Sequence, residues 1–231
     1  RTIQYGDADV MVAGGAEASC TPLSFAGFCS MKAMSTNNDA TEKASRPFDR
    51  DRDGFVIAGG SAVLLLEAEE VARRRGARIY GEIAGYGATS DSADMVQPNA
   101  DGVARAIRAA LVEAGHPTID YINPHATSTP SGDVAELDAI RTVFGEDIPT
   151  ISATKGLTGH SIAAISAQEA IFCLLMMRDS FVAASANLVN ADDGYDQMPI
   201  ARMTAKREFA SALSTSIGFG GTNAAIVFRR I

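Results

Sequence analysis

Two histidines stand where a predicted strand gives way to a polar loop, and this placement makes them the first candidates for chemistry. His125 opens the segment His125-Ala-Thr-Ser-Thr-Pro130, and His160 closes Lys155-Gly-Leu-Thr-Gly-His160. Histidine is the side chain that titrates nearest neutral pH, and open α/β sheets place their sites where strands end. By contrast, His116 lies in a Gly-His-Pro turn and is predicted to be a surface residue. From local sequence alone, His125 and His160 could equally be hydrogen-bonded structural residues.

Three familiar kinds of site fit these segments poorly. A zinc site needs three or four ligands at usable spacing, and no other His or Cys lies near His125 or His160. A serine hydrolase could use Gly159-His-Ser-Ile-Ala163 as its nucleophile elbow, but the elbow should follow a strand directly and precede the catalytic histidine. The segment Gly218-Phe-Gly-Gly-Thr-Asn223 lacks the lysine of a phosphate-binding loop and precedes no predicted helix.

The remaining groups suit the stabilisation of a developing enolate or oxyanion. They are two neutral imidazole donors, a lysine between them in sequence, several threonine hydroxyls and a glycine-rich loop with one aromatic residue. Donors aimed at such an oxygen contribute on the order of a few kcal/mol in a dry pocket. The set lacks an activated nucleophile. Cys20 and Cys29 lie in or near the loop after the first strand, and Cys173 is predicted to be a core residue of an apolar helix.

The elements that must position these groups alternate between strands and helices. Apolar runs predict strands at 9–13, 55–67, 79–88, 121–123, 150–153, 212–216 and 224–228, the first buried and closed by Gly14-Gly15, and the last two paired. Helical periodicity predicts helices at 68–76, 101–115, 132–144 and 161–177, with Asp101 as an N-cap. Residues 21–53 are predicted to form a long excursion with short helical pieces. Together these patterns predict an α/β fold with a largely buried, mixed sheet.

Composition narrows the class of protein further. The chain has 231 residues, of which 46% are hydrophobic and 21% charged, as in ordinary globular proteins. A net charge of −8 argues against a general nucleic-acid binder. Three cysteines without a CxxC pair indicate a reducing compartment rather than a disulfide scaffold. No apolar run approaches the roughly 20 residues of a membrane span, and no signal-peptide pattern or initiator Met is present, which suggests a fragment.

The motifs, taken in order, resemble those of the β-ketoacyl-acyl-carrier-protein synthases. Three of them carry the likeness: His125-Ala-Thr-Ser-Thr-Pro-Ser-Gly-Asp133, Lys155-Gly-Leu-Thr-Gly-His160 and Gly218-Phe-Gly-Gly-Thr-Asn223. A fourth is Arg46-Pro-Phe-Asp49 with Arg52-Asp-Gly-Phe55. Three further segments look more like synthase I of bacterial type II fatty-acid synthesis than synthase II: Phe55-Val-Ile-Ala-Gly-Gly60, Gly85-Tyr-Gly-Ala-Thr-Ser-Asp91 and Ala93-Asp-Met95.

The resemblance implies a fold, a reaction and partners. The fold would be thiolase-like, with mixed sheets sandwiching helices, residues 1–76 ending the N-terminal half and residues 77–231 forming the C-terminal half. The reaction would be the decarboxylative Claisen condensation of malonyl- and acyl-carrier protein, with no metal or organic cofactor. The enzyme would be a cytoplasmic homodimer whose partner is an acyl carrier protein. The family's cysteine nucleophile belongs to a segment upstream, so this chain alone is expected to be inactive.

The resemblance also implies roles for individual residues. His125 and His160 would polarise the malonyl thioester carbonyl and stabilise the enolate, and Lys155 would organise the histidines together with Glu169. The other implied roles fall on the hydroxyls that hold the pantetheine arm, the gating aromatic and the glycines that let the backbone approach: Thr127, Thr129, Phe219, Gly218, Gly220 and Gly221. Each could instead be a loop, turn or core residue when taken alone.

Two departures from the family pattern bear on specificity. Ala126 stands where the family has Gly, and Ala163-Ala-Ile-Ser166 replaces Gly-Ala-Ala-Gly. The added volume could narrow a tightly packed spot and alter the accepted acyl length. An acidic carrier protein could dock on Arg46, Arg50 and Arg52, although this segment could equally be a structural ion-pair cluster.

A rival interpretation is a non-catalytic partner subunit, such as the chain-length factors of polyketide systems, which keep the fold and lose the chemistry. Retention of both His125 and His160 argues against that interpretation.

Overall fold

The computed structural model describes residues 1–91 and 94–231. Its strands are β1 (Val10–Glu17), β2 (Gly60–Glu67), β3 (Glu82–Ser90), β4 (Tyr121–Asn123), β5 (Thr150–Ile151), β6 (Phe181–Val182), β7 (Ala205–Lys206), β8 (Ser211–Gly218) and β9 (Thr222–Arg229). Its helices are α1 (Pro22–Ser30), α2 (Glu69–Arg74), α3 (Ala100–Glu113), α4 (Pro130–Phe144), α5 (Lys155–Thr158) and α6 (Ile165–Asp179). Ala93, the first residue of one segment used in the resemblance, lies outside the described residues.

The main sheet has five strands in the order β3-β9-β8-β4-β5. Strand β4 runs parallel to β5 and β8, whereas β9 runs antiparallel to both β3 and β8. The sheet is therefore mixed, as the sequence predicts, and β8 and β9 form the predicted closing pair. Because β4 and β5 are parallel, the loops that follow them leave the sheet at the same edge.

Alternate residues of the strands face two different cores. Ile122, Leu213 and Val227 pack with α3 and α4 on one face of the sheet. Their chain neighbours Tyr121, Ala212 and Phe228 pack with α6 on the other face, where the predicted core residue Cys173 is fully buried. This alternation is the period-two pattern of a sheet covered on both faces.

Helix α6 lies between two sheets. It packs against β8 of the main sheet on one side and against the two-stranded sheet of β1 and β2 on the other. The layer order is therefore α3 and α4, the main sheet, α6, and the small sheet, which confirms the predicted arrangement of mixed sheets sandwiching helices.

Several predicted boundaries are wrong. Gly14 and Gly15 do not end the first strand but lie inside β1, where a Cβ on either would fall 2.1 Å from the carbonyl oxygen of Ala62 or 2.4 Å from that of Ala163. These glycines are therefore sites of close backbone approach rather than a turn. The strand is also largely exposed rather than buried, because only one face of the small sheet meets α6.

Other elements begin later than predicted or have different caps. The predicted strand 55–67 begins at Gly60, and the predicted helix 161–177 begins at Ile165. The N-cap of α3 is Asn99, whose side chain accepts the N–H of Asp101, the residue predicted for that place. Strands β6 and β7 were not predicted, because two-residue strands leave no periodic pattern.

Candidate active site

The two candidate histidines lie side by side. His125 follows β4 and His160 follows α5, and their ring centroids are 5.2 Å apart with the planes at 86°. The edge of Phe55 meets the His160 ring at a centroid distance of 5.4 Å. The structure thus brings together two loops that lie far apart in the sequence, as the motif order predicts.

Both main-chain polar groups of His160 are fixed to the segment before β2. Its N–H donates to the carbonyl oxygen of Val56 over 2.7 Å, and its own carbonyl oxygen accepts the N–H of Ala58 over 2.9 Å. The backbone of this histidine therefore has little freedom to shift, and the ring is held against Phe55.

A buried carboxylate that the sequence analysis missed holds the His125 loop. Glu136 of α4 is fully buried and accepts the N–H of His125 (2.8 Å) and the N–H of Ala126 (2.7 Å), while Thr215 of β8 donates its hydroxyl to it (2.5 Å). The helix pattern carried a signal for it. Asp133, Glu136, Leu137 and Ile140 follow the i, i+3, i+4, i+7 spacing of a buried helix face, and all four are buried.

Lys155 and Glu169 form a buried ion pair beneath the histidines. Lys155 Nζ donates to Glu169 Oε1 over 2.6 Å, and neither side chain is more than 1% exposed. The hydroxyl of Thr154 donates to the same oxygen. Burial raises the pKa of Glu169 to about 7, against the opposing effect of Lys155. The pairing that the resemblance implies between residues 155 and 169 is therefore present as geometry.

Both imidazoles are held in the neutral form. Burial, with a smaller contribution from the positive charge of Lys155, lowers the pKa of His160 to about 3. The same two causes, with a smaller contribution from His160, hold the pKa of His125 well below its usual value. The Nδ1 atoms of both rings are buried and make no hydrogen bond to any residue in the described part of the chain. Neutral rings can each present one N–H to an oxygen that develops negative charge.

The loop after His125 brings the two predicted substrate-binding hydroxyls together. Thr127 Oγ1 and Thr129 Oγ1 are 3.0 Å apart, and both residues are partly exposed. Ala126 and Ser128 adopt positive φ angles of 31° and 71°, which L-residues rarely do. Such backbone strain persists only where the surroundings over-determine the conformation.

The glycine-rich loop between β8 and β9 carries an accessible aromatic ring. Phe219 is 49% exposed, a position that leaves it free for the predicted gating role. Gly220 and Gly221 have φ angles of 76° and 78°, so they supply the left-handed turn of the loop. Gly218 has no positive φ, and a Cβ there would make only ordinary contact with Thr222 at 3.7 Å. A Cβ on Gly220 would meet nothing within 4 Å, so no described part of the chain approaches either glycine closely, and their role in letting a backbone approach stays a prediction.

The arginines proposed for carrier-protein docking are mostly structural. Arg52 is 3% exposed and pairs with Asp133 and Asp192. Arg46, whose side chain is 16% exposed, pairs with Asp49. Only Arg50 is substantially exposed, and it pairs with Asp193. The structure favours the alternative interpretation of this segment as an ion-pair cluster.

The cysteines supply no partner for the histidines. Cys20 and Cys29 are exposed, and Cys173 is buried, where burial raises the pKa of its thiol. None of the hydrogen bonds of residues 1–91 and 94–231 joins a cysteine to His125 or His160. The site as described thus holds oxyanion donors and no activated thiol.

The described residues show neither a cluster of metal-ligating side chains nor a membrane-spanning helix. Among the described residues, no three His, Cys, Asp or Glu side chains are grouped so that they could hold a metal ion. The helices described there are too short or too polar to cross a membrane.

The chain matches two family models. Residues 1–72 match the β-ketoacyl synthase N-terminal domain, and residues 80–189 match the β-ketoacyl synthase C-terminal domain. Among curated relatives, 3-oxoacyl-[acyl-carrier-protein] synthase 1 of Escherichia coli K12 is 50% identical over 99% of this chain and 56% of its own length. The synthase 2 of Vibrio cholerae is 45% identical over the whole chain and 58% of its own length. The chain therefore spans little more than half the length of these relatives.

Solved structures give the same picture. A β-ketoacyl synthase from Burkholderia phymatum superimposes with a TM-score of 0.95 at 39% identity, covering all of this chain and 57% of that one. A type II polyketide ketosynthase in complex with its acyl-carrier protein also gives a TM-score of 0.95, at 37% identity, over all of this chain and 58% of that one. These likenesses extend over both sheets and over the histidine loops between them.

Proposed function

The chain belongs to the β-ketoacyl synthase family, and on that premise we propose that it is the histidine-bearing part of a 3-oxoacyl-carrier-protein synthase. The proposed reaction is the decarboxylative condensation that extends an acyl chain by two carbons in fatty-acid biosynthesis. The observation that carries the proposal is the pair of neutral imidazoles 5.2 Å apart, beside a buried Lys–Glu pair. Such a pair suits an enolate better than it suits a proton-relay or metal site.

The residues act in the following order. The malonyl thioester binds with its carbonyl oxygen facing His125 and His160. Its terminal carbon–carbon bond breaks, carbon dioxide leaves, and the electron pair moves into the carbonyl to form an enolate that the two N–H groups stabilise. The enolate carbon then attacks an acyl thioester on a cysteine and releases the thiolate. Burial keeps both histidines neutral, and Lys155, paired with Glu169, adds to this because its charge disfavours their protonation.

The acylated cysteine comes from outside the 231 residues. The cysteines of this chain are exposed or buried away from hydrogen-bond contact with the histidines, and the relatives have more than 40% of their length beyond the matched part. In this proposal a segment outside the 231 residues supplies the thiol, and it belongs to the same N-terminal half as residues 1–76. The acyl and malonyl groups arrive on an acyl carrier protein, and the assembled protein is a cytoplasmic homodimer. Its 50% identity to a 3-oxoacyl-[acyl-carrier-protein] synthase 1 supports the proposal that it is of type I.

The remaining predicted residues bind the substrate. Thr127 and Thr129 hold the pantetheine arm, which their paired hydroxyls are exposed enough to meet. Phe219 gates the passage between the acyl pocket and the malonyl side, a role that suits its exposed ring beside a left-handed glycine turn.

The test uses the full-length protein with malonyl-carrier protein, and follows release of labelled carbon dioxide and formation of the 3-oxoacyl product. We expect His125→Ala and His160→Ala to lower decarboxylation by roughly 100-fold each, as loss of an oxyanion donor does. The exposed His116 provides the control, and His116→Ala should retain full activity. The isolated chain should form no acyl-enzyme.

Two outcomes would contradict the proposal. Acyl transfer by the isolated 231 residues would show that the nucleophile lies within them. A folded full-length protein that releases no carbon dioxide would instead support the non-catalytic partner subunit.

A further inference from the structure

The side chain of Arg52 is buried near the candidate site, and each of its nitrogens has a hydrogen-bond partner. Its guanidinium is 3% exposed. Nε donates to the carbonyl oxygen of Thr129 (3.2 Å), Nη2 to that of Pro130 (2.7 Å) and Nη1 to that of Asp49 (2.8 Å). The carboxylates of Asp133 and Asp192 lie 3.4 and 2.6 Å from its nitrogens. All three nitrogens therefore have partners, and the positive charge is balanced.

Two of these partners belong to the loop that carries the substrate-binding hydroxyls. The carbonyls of Thr129 and Pro130 follow directly on the Thr127–Thr129 hydroxyl pair. The residue between the two threonines, Ser128, has a φ of 71°. Its N–H donates to Asp133 (3.0 Å), its carbonyl oxygen accepts the N–H of Gly54 (3.0 Å), and its hydroxyl accepts the N–H of Arg46. The segment around Arg52 thus makes four hydrogen bonds to three successive residues of the loop, 128–130.

The geometry of the guanidinium makes Arg52 hard to replace. Its planar fork reaches two consecutive carbonyls at once, whereas a lysine ammonium is a compact charge on a flexible stem. A lysine at this position could satisfy one carbonyl and would leave the other, partly buried, acceptor without its donor. The backbone at Thr129 and Pro130 would then lose one of its two ties to residue 52, and the two hydroxyls would move apart.

We propose that Arg52 is a positioning residue that sets the distance between the Thr127 and Thr129 hydroxyls for the pantetheine arm of the substrate. It touches neither the substrate nor the reacting atoms and acts through the carbonyls of residues 129 and 130. The proposal rests on the proposed function. It gives a buried positioning role to Arg52, which the sequence analysis considered for a docking patch.

The experiment compares two malonyl thioesters with the full-length protein. Malonyl-pantetheine offers the amides that the hydroxyls would bind, and the malonyl thioester of ethanethiol lacks them. We expect Arg52→Lys to raise the KM for malonyl-pantetheine about tenfold, equivalent to one hydrogen bond of roughly 1.4 kcal/mol. The kcat for release of carbon dioxide, and all kinetic constants for the ethyl thioester, should stay at wild-type values.

Two further variants bracket the effect. Arg108→Lys is the matched control, because Arg108 also donates to a backbone carbonyl, that of Thr142, and lies on α3 outside the loop; it should change neither substrate's constants. Asp192→Asn removes one partner of Arg52 at a carboxylate that is 28% exposed. This milder variant should fold and raise the pantetheine KM about threefold, as loss of a weaker contact does.

The possible outcomes distinguish a failure of the inference about Arg52 from a failure of the proposed function. Equal losses for both thioesters in Arg52→Lys would show a merely structural role and overturn the inference. If that variant does not fold, an unchanged KM in Asp192→Asn overturns it. A wild-type protein that decarboxylates neither thioester would instead overturn the proposed function, and the role of Arg52 with it.

Discussion

At the scale of single residues, the site depends on which groups carry charge. Lys155 and Glu169 form a buried ion pair, while His125 and His160 are kept neutral by burial and by the nearby lysine. A neutral imidazole presents one N–H that it can donate to an enolate. Holding both rings neutral by burial lowers the stability of the fold in acid.

The lowered pKa of His160 leads to a prediction about how the free energy of unfolding depends on pH. Because the pKa of His160 falls from 6.5 to about 3 on folding, the unfolded chain binds a proton between these values that the folded chain does not. The free energy of unfolding must then fall as pH is lowered below 6.5, by about 1.4 kcal/mol per pH unit for this group. Between pH 8 and pH 5, wild type should lose about 2 kcal/mol more than His160→Gln in urea unfolding.

The comparison of wild type with His160→Gln cancels the contributions of other titrating groups to the pH dependence of stability. Asp133 and Glu169 have raised pKa values and act in the opposite direction, but they are present in both proteins and drop out of the difference. His116→Gln, at an exposed position, should follow the wild-type profile. Parallel pH profiles for wild type and His160→Gln would show that the ring is not held neutral.

The buried ion pair supports a second prediction. Lys155→Met leaves the carboxylate of Glu169 buried without its cation, which should cost about 3–5 kcal/mol at pH 8. Adding Glu169→Gln removes the unpaired charge and should restore part of that loss. The cost should also shrink as pH falls, because the raised pKa of Glu169 lets it bind a proton in the folded state. Urea unfolding at pH 8 and pH 6 measures both effects, and a double variant no more stable than Lys155→Met would contradict the explanation.

At the scale of elements, glycines decide how closely helices approach the sheet. A Cβ at Gly87 of β3 would lie 2.0 Å from the carbonyl oxygen of Ala106, and one at Gly85 would lie 2.1 Å from that of Ala110. Helix α3 therefore rests directly on the backbone of β3. Since α3 packs against α4, which carries Glu136, this contact also supports the His125 loop.

We expect Gly87→Ala to destabilise the protein by about 2–3 kcal/mol, because the methyl group must push α3 away from the sheet. The matched control is Gly27→Ala in α1, where a Cβ would meet nothing within 4 Å and the backbone is helical. That substitution should be neutral or stabilise by up to about 1 kcal/mol, since alanine favours helices over glycine. Equilibrium unfolding in urea measures both, and equal effects would contradict the close-approach argument.

Another pair of glycines, in β1, shows what the sequence could and could not predict. Periodicity placed the long helices and the β8–β9 pair correctly, because these patterns are local. It assigned Gly14 and Gly15 to a turn, since nothing local reveals that their neighbours are Ala62 and Ala163. The motifs predicted that His125 and His160 belong to one site. The contact of Glu136 with the His125 backbone depends on where α4 docks, so only its spacing hinted at burial.

At the scale of the whole molecule, one surface of the layered fold is left uncovered. The small sheet turns Ala62, Leu64 and Leu66 towards the interior, whereas Val12, Val63 and Leu65 are 69%, 66% and 55% exposed on its outer face. Val12 and Leu65 are paired across the two strands, so the exposed apolar side chains are contiguous. A patch of this kind marks a surface that another part of a protein covers.

The remaining length of the relatives leads to a final prediction about this face. If the segment that supplies the thiol also packs on the outer face, Leu65→Lys should destabilise the full-length protein by about 2 kcal/mol or more, because it places a charge in a buried apolar contact. In the 231-residue chain alone the same change should be nearly neutral and should reduce binding of an apolar dye. Val112→Lys, at a 59% exposed position of α3, should be neutral in both. Equal effects of Leu65→Lys in the two proteins, measured by urea unfolding, would show that the outer face stays in water and that the preceding segment lies elsewhere.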